Sequence, residues 1–283
     1  RSLKKPPADV ILQKTKWDLS GEFDIVTDPR GRRSPGLLVA DGVTVYSIET
    51  ALETGMVDVP LIISSNEDEM DFSPANAVEP MPRKQFLSLM DARLRAWGAH
   101  FGSRTIEAFY RRELSVSPQW ALNVFLTDLA LTCGNDHLAR LAAKGFKSPV
   151  YRVVVTQRPS KPIPTTLVPV PWFAMRYTFH NWDLFCGGNM WDWSPLFKIQ
   201  PTKDDLALSQ LLSTLWRNFT SAGEMEELQR ISPTSRTMVT NLIGGKEGNP
   251  TAPTVLYPEL NHKSEVCSYL DRNSMGRSFW WSD

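Results

Sequence analysis

Two residues have the types and surroundings that proton chemistry needs, Glu69 and His180. Glu69 closes the acidic run Glu67-Asp68-Glu69, which begins just past the short apolar stretch Val59 to Ser64. A carboxylate held beyond the end of a buried strand can orient a histidine and support its cation while staying ionised itself. His180 lies in Tyr177-Thr178-Phe179-His180-Asn181-Trp182-Asp183, between aromatic residues and close to Gly187 and Gly188. An imidazole in an aromatic-walled loop can be tuned by its surroundings to serve as a general base. Each residue also has a plainer alternative. Glu67, Asp68, Glu69 and Asp71 crowd together as they would in an acidic surface turn, and a histidine among aromatic rings is often a satisfied structural one. Neither residue alone implies an enzyme.

The elements that must hold these groups are legible in the hydrophobic pattern. Val59 to Ser64 is short, β-branched and almost wholly apolar, which predicts a buried strand. Val150 to Val155 predicts a second one. Phe86, Leu87, Met90, Leu94 and Trp97 recur at helical spacing over Arg83 to Trp97. Further helices are expected over Ile48 to Gly55, over Pro118 to about Thr132, and from Asn135 or Asp136 to Lys144 with Gly145 as the stop. The strongest helical pattern runs from Asp204 to Thr220, where Leu208, Leu211, Leu212, Leu215, Trp216 and Phe219 share a face. Thr202 and Asp205 there resemble a capping box. Pro159 to Pro171 reads as a loop, the stretch from Gly223 to about Thr254 as polar and turn-rich, and Val255 to Leu260 as a last strand. Helices alternating with apolar strands indicate an α/β layer architecture. Two strongly apolar strands are few for a sheet buried on both faces.

Composition bounds the rest. The 283 residues, 42% hydrophobic, suffice for a large core. The 31 basic and 31 acidic residues cancel, so no strong field gathers nucleic acid or an anionic membrane. Residues 1 to 40, rich in Pro, Gly, Arg and Lys, are expected to form a surface or connecting segment, with Arg30, Arg32 and Arg33 on a solvated loop. No apolar run is long enough to span a membrane, and the opening residues carry no secretory pattern. Cys133, Cys186 and Cys267 allow one pair plus a free thiol, or three buried thiols, and composition alone favours reduced thiols.

Several motifs are missing. No G-x-G-x-x-G follows a strand, no phosphate loop is present, and H-E-x-x-H does not occur. The four histidines are far apart in sequence. There is no G-x-S-x-G. The nearest approach, Gly31-Arg32-Arg33-Ser34-Pro35-Gly36, has the wrong spacing for the tight turn that exposes a nucleophilic serine. Trp191-Asp192-Trp193 is expected to be packing in a chain of ten tryptophans.

The order of the remaining signatures carries a family resemblance. Asp41-Gly42 followed by Val59-Pro60-Leu61-Ile62-Ile63-Ser64-Ser65-Asn66-Glu67-Asp68-Glu69 resembles the carboxylesterase and cholinesterase segment that bears the catalytic acid, and Glu69 falls on that acid. Asp128, Cys133 and Ser148-Pro149-Val150-Tyr151 resemble the helix and strand that follow. His180 with Asp183 and Gly187 is similar to the loop of the catalytic histidine. Asp205-Leu206, Leu208-Ser209, Leu215-Trp216, Phe219 and Ala222-Gly223 are similar to a later helix of that family. The resemblance spans roughly residues 38 to 225. It departs at Met70, where the family has glycine, at Cys186, and in a His180 loop about two residues short.

What the resemblance implies is specific. The fold would be the C-terminal half of an α/β-hydrolase, with an incomplete, mostly parallel sheet under covering helices, residues 41 to 283 being part of one domain. Glu69 and His180 would be the acid and base of a serine ester hydrolase acting on a small-molecule ester, without a cofactor. The serine and oxyanion glycines would belong to an N-terminal half supplied in cis, and this chain alone would be inactive. The alternative is a non-catalytic, cholinesterase-like adhesion or scaffold protein. The family further implies a Cys133–Cys267 disulfide, a free Cys186 and a secreted or exterior-facing protein. Oligomeric state and ester identity are not specified by the sequence. Asn218-Phe219-Thr220 is a glycosylation sequon.

Overall fold

The structure is a computed structural model that describes residues 47–71, 81–164, 174–191, 200–245 and 255–275. Expectations for residues 1 to 40, Asp41-Gly42, Asp192 and Trp193 lie outside the described residues, as does much of the proline-rich loop. In chain order the elements are α1 (Ile48–Glu53), β1 (Leu61–Asn66), α2 (Arg83–Ala96), α3 (Ser103–Phe109), α4 (Arg111–Val116) and α5 (Pro118–Thr127). A π-helical turn, Asp128–Thr132, runs on from α5 into α6 (Cys133–Gly145). Then come β2 (Val150–Val155), β3 (Ile163–Pro164), β4 (Ala174–Met175), α7 (Trp182–Gly187), α8 (Lys203–Ala222), β5 (Val239–Gly244), β6 (Val255–Leu260) and α9 (Ser264–Arg272).

The architecture is mixed α/β, with a partly parallel four-stranded sheet flanked by helices. Its order is β1-β2-β5-β6. β1 runs parallel to β2, with Leu61 opposite Val150, and β2 runs parallel to β5, with Val153 opposite Asn241. β6 closes one edge antiparallel to β5. β2 is buried along its whole length because both faces are covered. On one face Tyr151, Val153 and Val155 meet Leu208, Leu212 and Leu215 of α8 together with Trp182 and Phe185 of α7. On the other, Val150 meets Ala139, Ala142 and Ala143 of α6. Each buried Leu or Val side chain stabilises this packing by about 1.5–3 kcal/mol. A separate helical core joins Phe86, Met90 and Leu94 of α2 to Leu122, Phe125 and Leu126 of α5 and to Val266 and Leu270 of α9.

Polar stitches fix the layers. Arg152, fully buried in β2, donates from Nε to Asp136 Oδ1 on α6 at 2.8 Å and from Nη2 to Ser65 Oγ on β1 at 2.7 Å. Removing either ionic partner would strand a buried charge. The capping box at α8 forms as the sequence predicts, with Thr202 and Asp205 exchanging bonds. Gly223 at φ 73° ends that helix in the left-handed region where a side chain would be strained. Gly187 lets α7 lie against α8, because a Cβ there would sit 2.8 Å from the Trp216 indole nitrogen. Cys133 and Cys267 form a disulfide between α6 and α9, and Cys186 is a buried free thiol. Composition had favoured reduced thiols, and for this pair the packing of α9 against the π-helical turn overrides it.

Candidate active site

Parallel strands gather loops at their carboxyl ends, which is where open α/β sheets hold their ligands. The ladder between β1 and β2 continues one step past β1 through Glu67 N–H to the Val155 carbonyl, at 2.9 Å. The chain then turns sharply, with Asp71 N–H donating to the Asp68 carbonyl at 2.9 Å. Glu69 sits in this turn, and its side chain is only 8% exposed. His180 arrives from β4 and stands just before α7, its side chain 49% exposed. Asn181, at φ 69°, makes the turn into α7 in a conformation that asparagine tolerates better than most residues.

The two sequence-predicted site residues meet. His180 Nδ1 lies 2.8 Å from Glu69 Oε2. A carboxylate can only accept, so Nδ1 carries the hydrogen and Nε2 is the basic nitrogen of the neutral ring. The other carboxylate oxygen, Oε1, accepts from the Asn66 backbone N–H at 2.7 Å and from Asn66 Nδ2 at 3.3 Å. Asn66 Nδ2 also donates to Asp183 Oδ1 at 3.0 Å, and Ser64 Oγ to Asp183 Oδ2 at 3.1 Å. The end of β1 is thereby fastened to the first turn of α7. The hydrogen bond to Glu69 holds the His180 imidazolium pKa above its ordinary value of 6.5; burial opposes this, and the Glu69 and Asp183 charges add to it.

A second set of contacts aligns the two segments. Asp68 N–H donates to Thr178 Oγ1 at 3.0 Å and to the Thr178 carbonyl at 3.3 Å, and Thr178 Oγ1 donates to Asp68 Oδ2 at 2.9 Å. Asp71 Oδ2 accepts from Arg176 N–H at 2.6 Å and Tyr177 N–H at 2.8 Å, while Asn123 Nδ2 on α5 donates to its Oδ1 at 2.8 Å. Met70 is buried in the helical core, and its N–H donates to Thr127 Oγ1 at 3.3 Å. Sequence reasoning missed this clamp. Four crowded acids resemble a solvated turn, yet Asp68, Glu69 and Asp71 are buried. The usable signal was Thr178, two residues before His180, as a partner for Asp68. The aromatic residues around His180, Phe179, Trp182 and Phe185, pack in the core around α7, and Trp191 is core packing as expected. Among the described residues no group of three or more His, Cys, Asp or Glu could hold a metal ion.

The arrangement is a hydrogen-bonded carboxylate–imidazole pair. Such a pair can orient an imidazole, fix its tautomer and support its cation, which is the chemistry that would activate a neighbouring nucleophile. No family model matches the chain, and no curated protein matches it.

The clamp also gives stability a pH slope. Burial, with the Glu67 charge, pushes the Asp68 carboxyl up to about 8, while Arg158 and Thr178 pull it down; its Oδ1 has no hydrogen-bond partner. Burial likewise raises Asp71 to about 7, against its three N–H donors. A carboxyl whose folded pKa is raised stabilises the fold fully below its unfolded pKa, about 4, and loses that contribution as pH climbs through its folded pKa. Stability is therefore expected to fall between about pH 4 and about pH 8 on account of these groups. Asp68→Asn keeps an acceptor for Thr178 and cannot ionise. Its urea midpoint should fall less than the wild type's between about pH 5 and about pH 8. Parallel losses in both proteins would assign the slope to other groups.

Proposed function

We propose that this chain is the C-terminal part of a serine carboxylic-ester hydrolase of the α/β-hydrolase fold, similar to carboxylesterases and cholinesterases, with residues 41 to 283 contributing to one domain. The observation that carries the reading is the 2.8 Å hydrogen bond between Glu69 and His180 beyond the carboxyl end of a parallel strand. In this reading a serine hydroxyl attacks the ester carbonyl, and His180 Nε2 takes the serine proton. Glu69 holds the ring in place and supports its cation. The imidazolium then protonates the departing alcohol, and water, deprotonated by the same nitrogen, releases the acid and restores the serine.

No G-x-S-x-G occurs among the 283 residues, so the serine and the oxyanion donors are assigned to chain upstream of Arg1. The edge of the sheet supports this assignment. Among the described residues β1 pairs only with β2, and its apolar Leu61, Ile62 and Ile63 are only half-buried. Close by in sequence, Ile48, Met56, Val57 and Val59 are exposed. A bare apolar edge of this kind needs a covering neighbour. The disulfide suits an oxidising compartment, which supports a secreted or exterior-facing protein.

The test is hydrolysis of a chromogenic short-chain ester and labelling by a fluorophosphonate, comparing this chain with an upstream-extended protein. Turnover and labelling are expected in the longer protein only. Silence in a properly folded longer protein would overturn the hydrolase reading and favour the non-catalytic adhesion or scaffold class.

A further inference from the structure

A feature unconnected with the acid–base pair lies on the far end of α8. Asn218-Phe219-Thr220 is the only Asn-X-Ser/Thr sequence in the chain whose middle residue is not proline, Asn249-Pro250-Thr251 being excluded by its proline. We propose that Asn218 carries an N-linked glycan. Three observations converge on it. The chain holds a disulfide, Cys133–Cys267, of the kind made in the same oxidising compartment in which such glycans are attached. Asn218 is half-buried in the last turns of α8, off the face that Leu208, Leu212 and Leu215 present to the sheet. It borders an open cavity of about 720 Å³, which extends to Glu224, Glu227 and Arg230.

The attachment chemistry is compatible with this fold. The Asn218 Nδ2 forms a bond to the anomeric carbon of an oligosaccharide, the carbon–oxygen bond to a lipid pyrophosphate breaks, and Nδ2 gives up a proton as the lipid pyrophosphate departs. Transfer of this kind takes place on an extended chain, so α8 must afterwards form with the sugar in place. That requirement is met. No hydrogen bond engages the Asn218 carboxamide among the described residues, so substituting its nitrogen breaks none. Thr220 Oγ1 turns back to the Arg217 carbonyl at 3.0 Å and plays no part in holding Asn218. The cavity gives the first sugar rings space beside the helix. Glu224, Glu227 and Arg230 offer them acceptors and a donor at an exposed rim.

The experiment uses full-length protein secreted from cultured animal cells, treated or not with a peptide N-glycosidase and mapped by peptide mass spectrometry. A mass decrease on treatment is expected, with the asparagine at 218 converted to aspartate. Both Asn218→Gln and Thr220→Ala should lose the mass shift completely. Thr220→Ala retains the asparagine and so separates loss of the sequon from any effect of the Asn218 side chain on folding. Secreted, disulfide-bonded protein with an unmodified Asn218 would overturn the proposal, as would a glycan that survives both substitutions.

Discussion

On the proposed hydrolase reading, replacing His180 with Ala in the upstream-extended protein should lower kcat for a short-chain ester on the order of 10⁶-fold, and replacing Glu69 with Gln about 10⁴-fold. The difference follows from the geometry. Without His180 no group at this position can take the nucleophile's proton. In Glu69→Gln the ring stays but loses the acceptor that fixes its tautomer, because the new amide can present a donor to Nδ1. The pH dependence should change too. Turnover is expected to rise with pH as His180 loses its proton, with a midpoint above 6.5 because of the hydrogen bond to Glu69. Glu69→Gln should move that midpoint down, which can be followed through the imidazole signal in NMR as well as through the rate. A variant that keeps activity within a few-fold of wild type and an unmoved imidazole titration would remove Glu69 from the relay.

The second large effect is on stability. Cys133 and Cys267 are separated by 134 residues, so their cross-link closes a long loop. In the chain-entropy account, closing a loop of that length stabilises by about 5 kcal/mol, and native disulfides commonly give about 2–5 kcal/mol. The double variant Cys133→Ala, Cys267→Ala should lose an amount in that range by chemical denaturation. α9 keeps another tether, since Lys263 Nζ donates to Asp128 Oδ2 on the π-helical turn at 3.2 Å beside the Tyr110 hydroxyl, which donates to the same oxygen at 3.0 Å. A loss under about 1 kcal/mol would mean that the reduced, unfolded chain already holds these two regions together.

Legibility in the sequence followed the balance between local and distant causes. Val150–Val155 and Val255–Leu260 form strands as expected, and β1 begins two residues later than the apolar run suggests. α8 carries its whole signal locally, as an apolar stripe with its own cap. β5 was hidden in the stretch read as polar and turn-rich. Its Thr240 and Asn241 are buried, and Asn241 is satisfied only by tertiary contacts, donating to the Arg152 and Gln229 carbonyls and accepting from Gln229 N–H. No periodicity within Val239–Gly244 reports those distant partners. α3 and α4 were missed for a similar reason, as short helices whose apolar residues are settled by the core they join. At the site, the positions of Glu69 and His180 were readable. Their clamp was not, because it depends on Asp68 and Asp71 being taken out of water by the fold.

The π-helical turn solves a problem of phase. A regular helix advances about 100° and about 1.5 Å with each residue, so one surplus residue rotates everything beyond it by about that angle. Upstream, Asn123 and Thr127 must face the acid turn, where they hold Asp71 and the Met70 N–H. Downstream, Cys133 must face α9, and Asp136 must face Arg152. The widened turn at Asp128–Thr132 offsets one azimuth from the other, so a single continuous helix meets both demands. Shortening it by one residue would leave the amide and hydroxyl correctly aimed and swing the sulfur and carboxylate away from their partners.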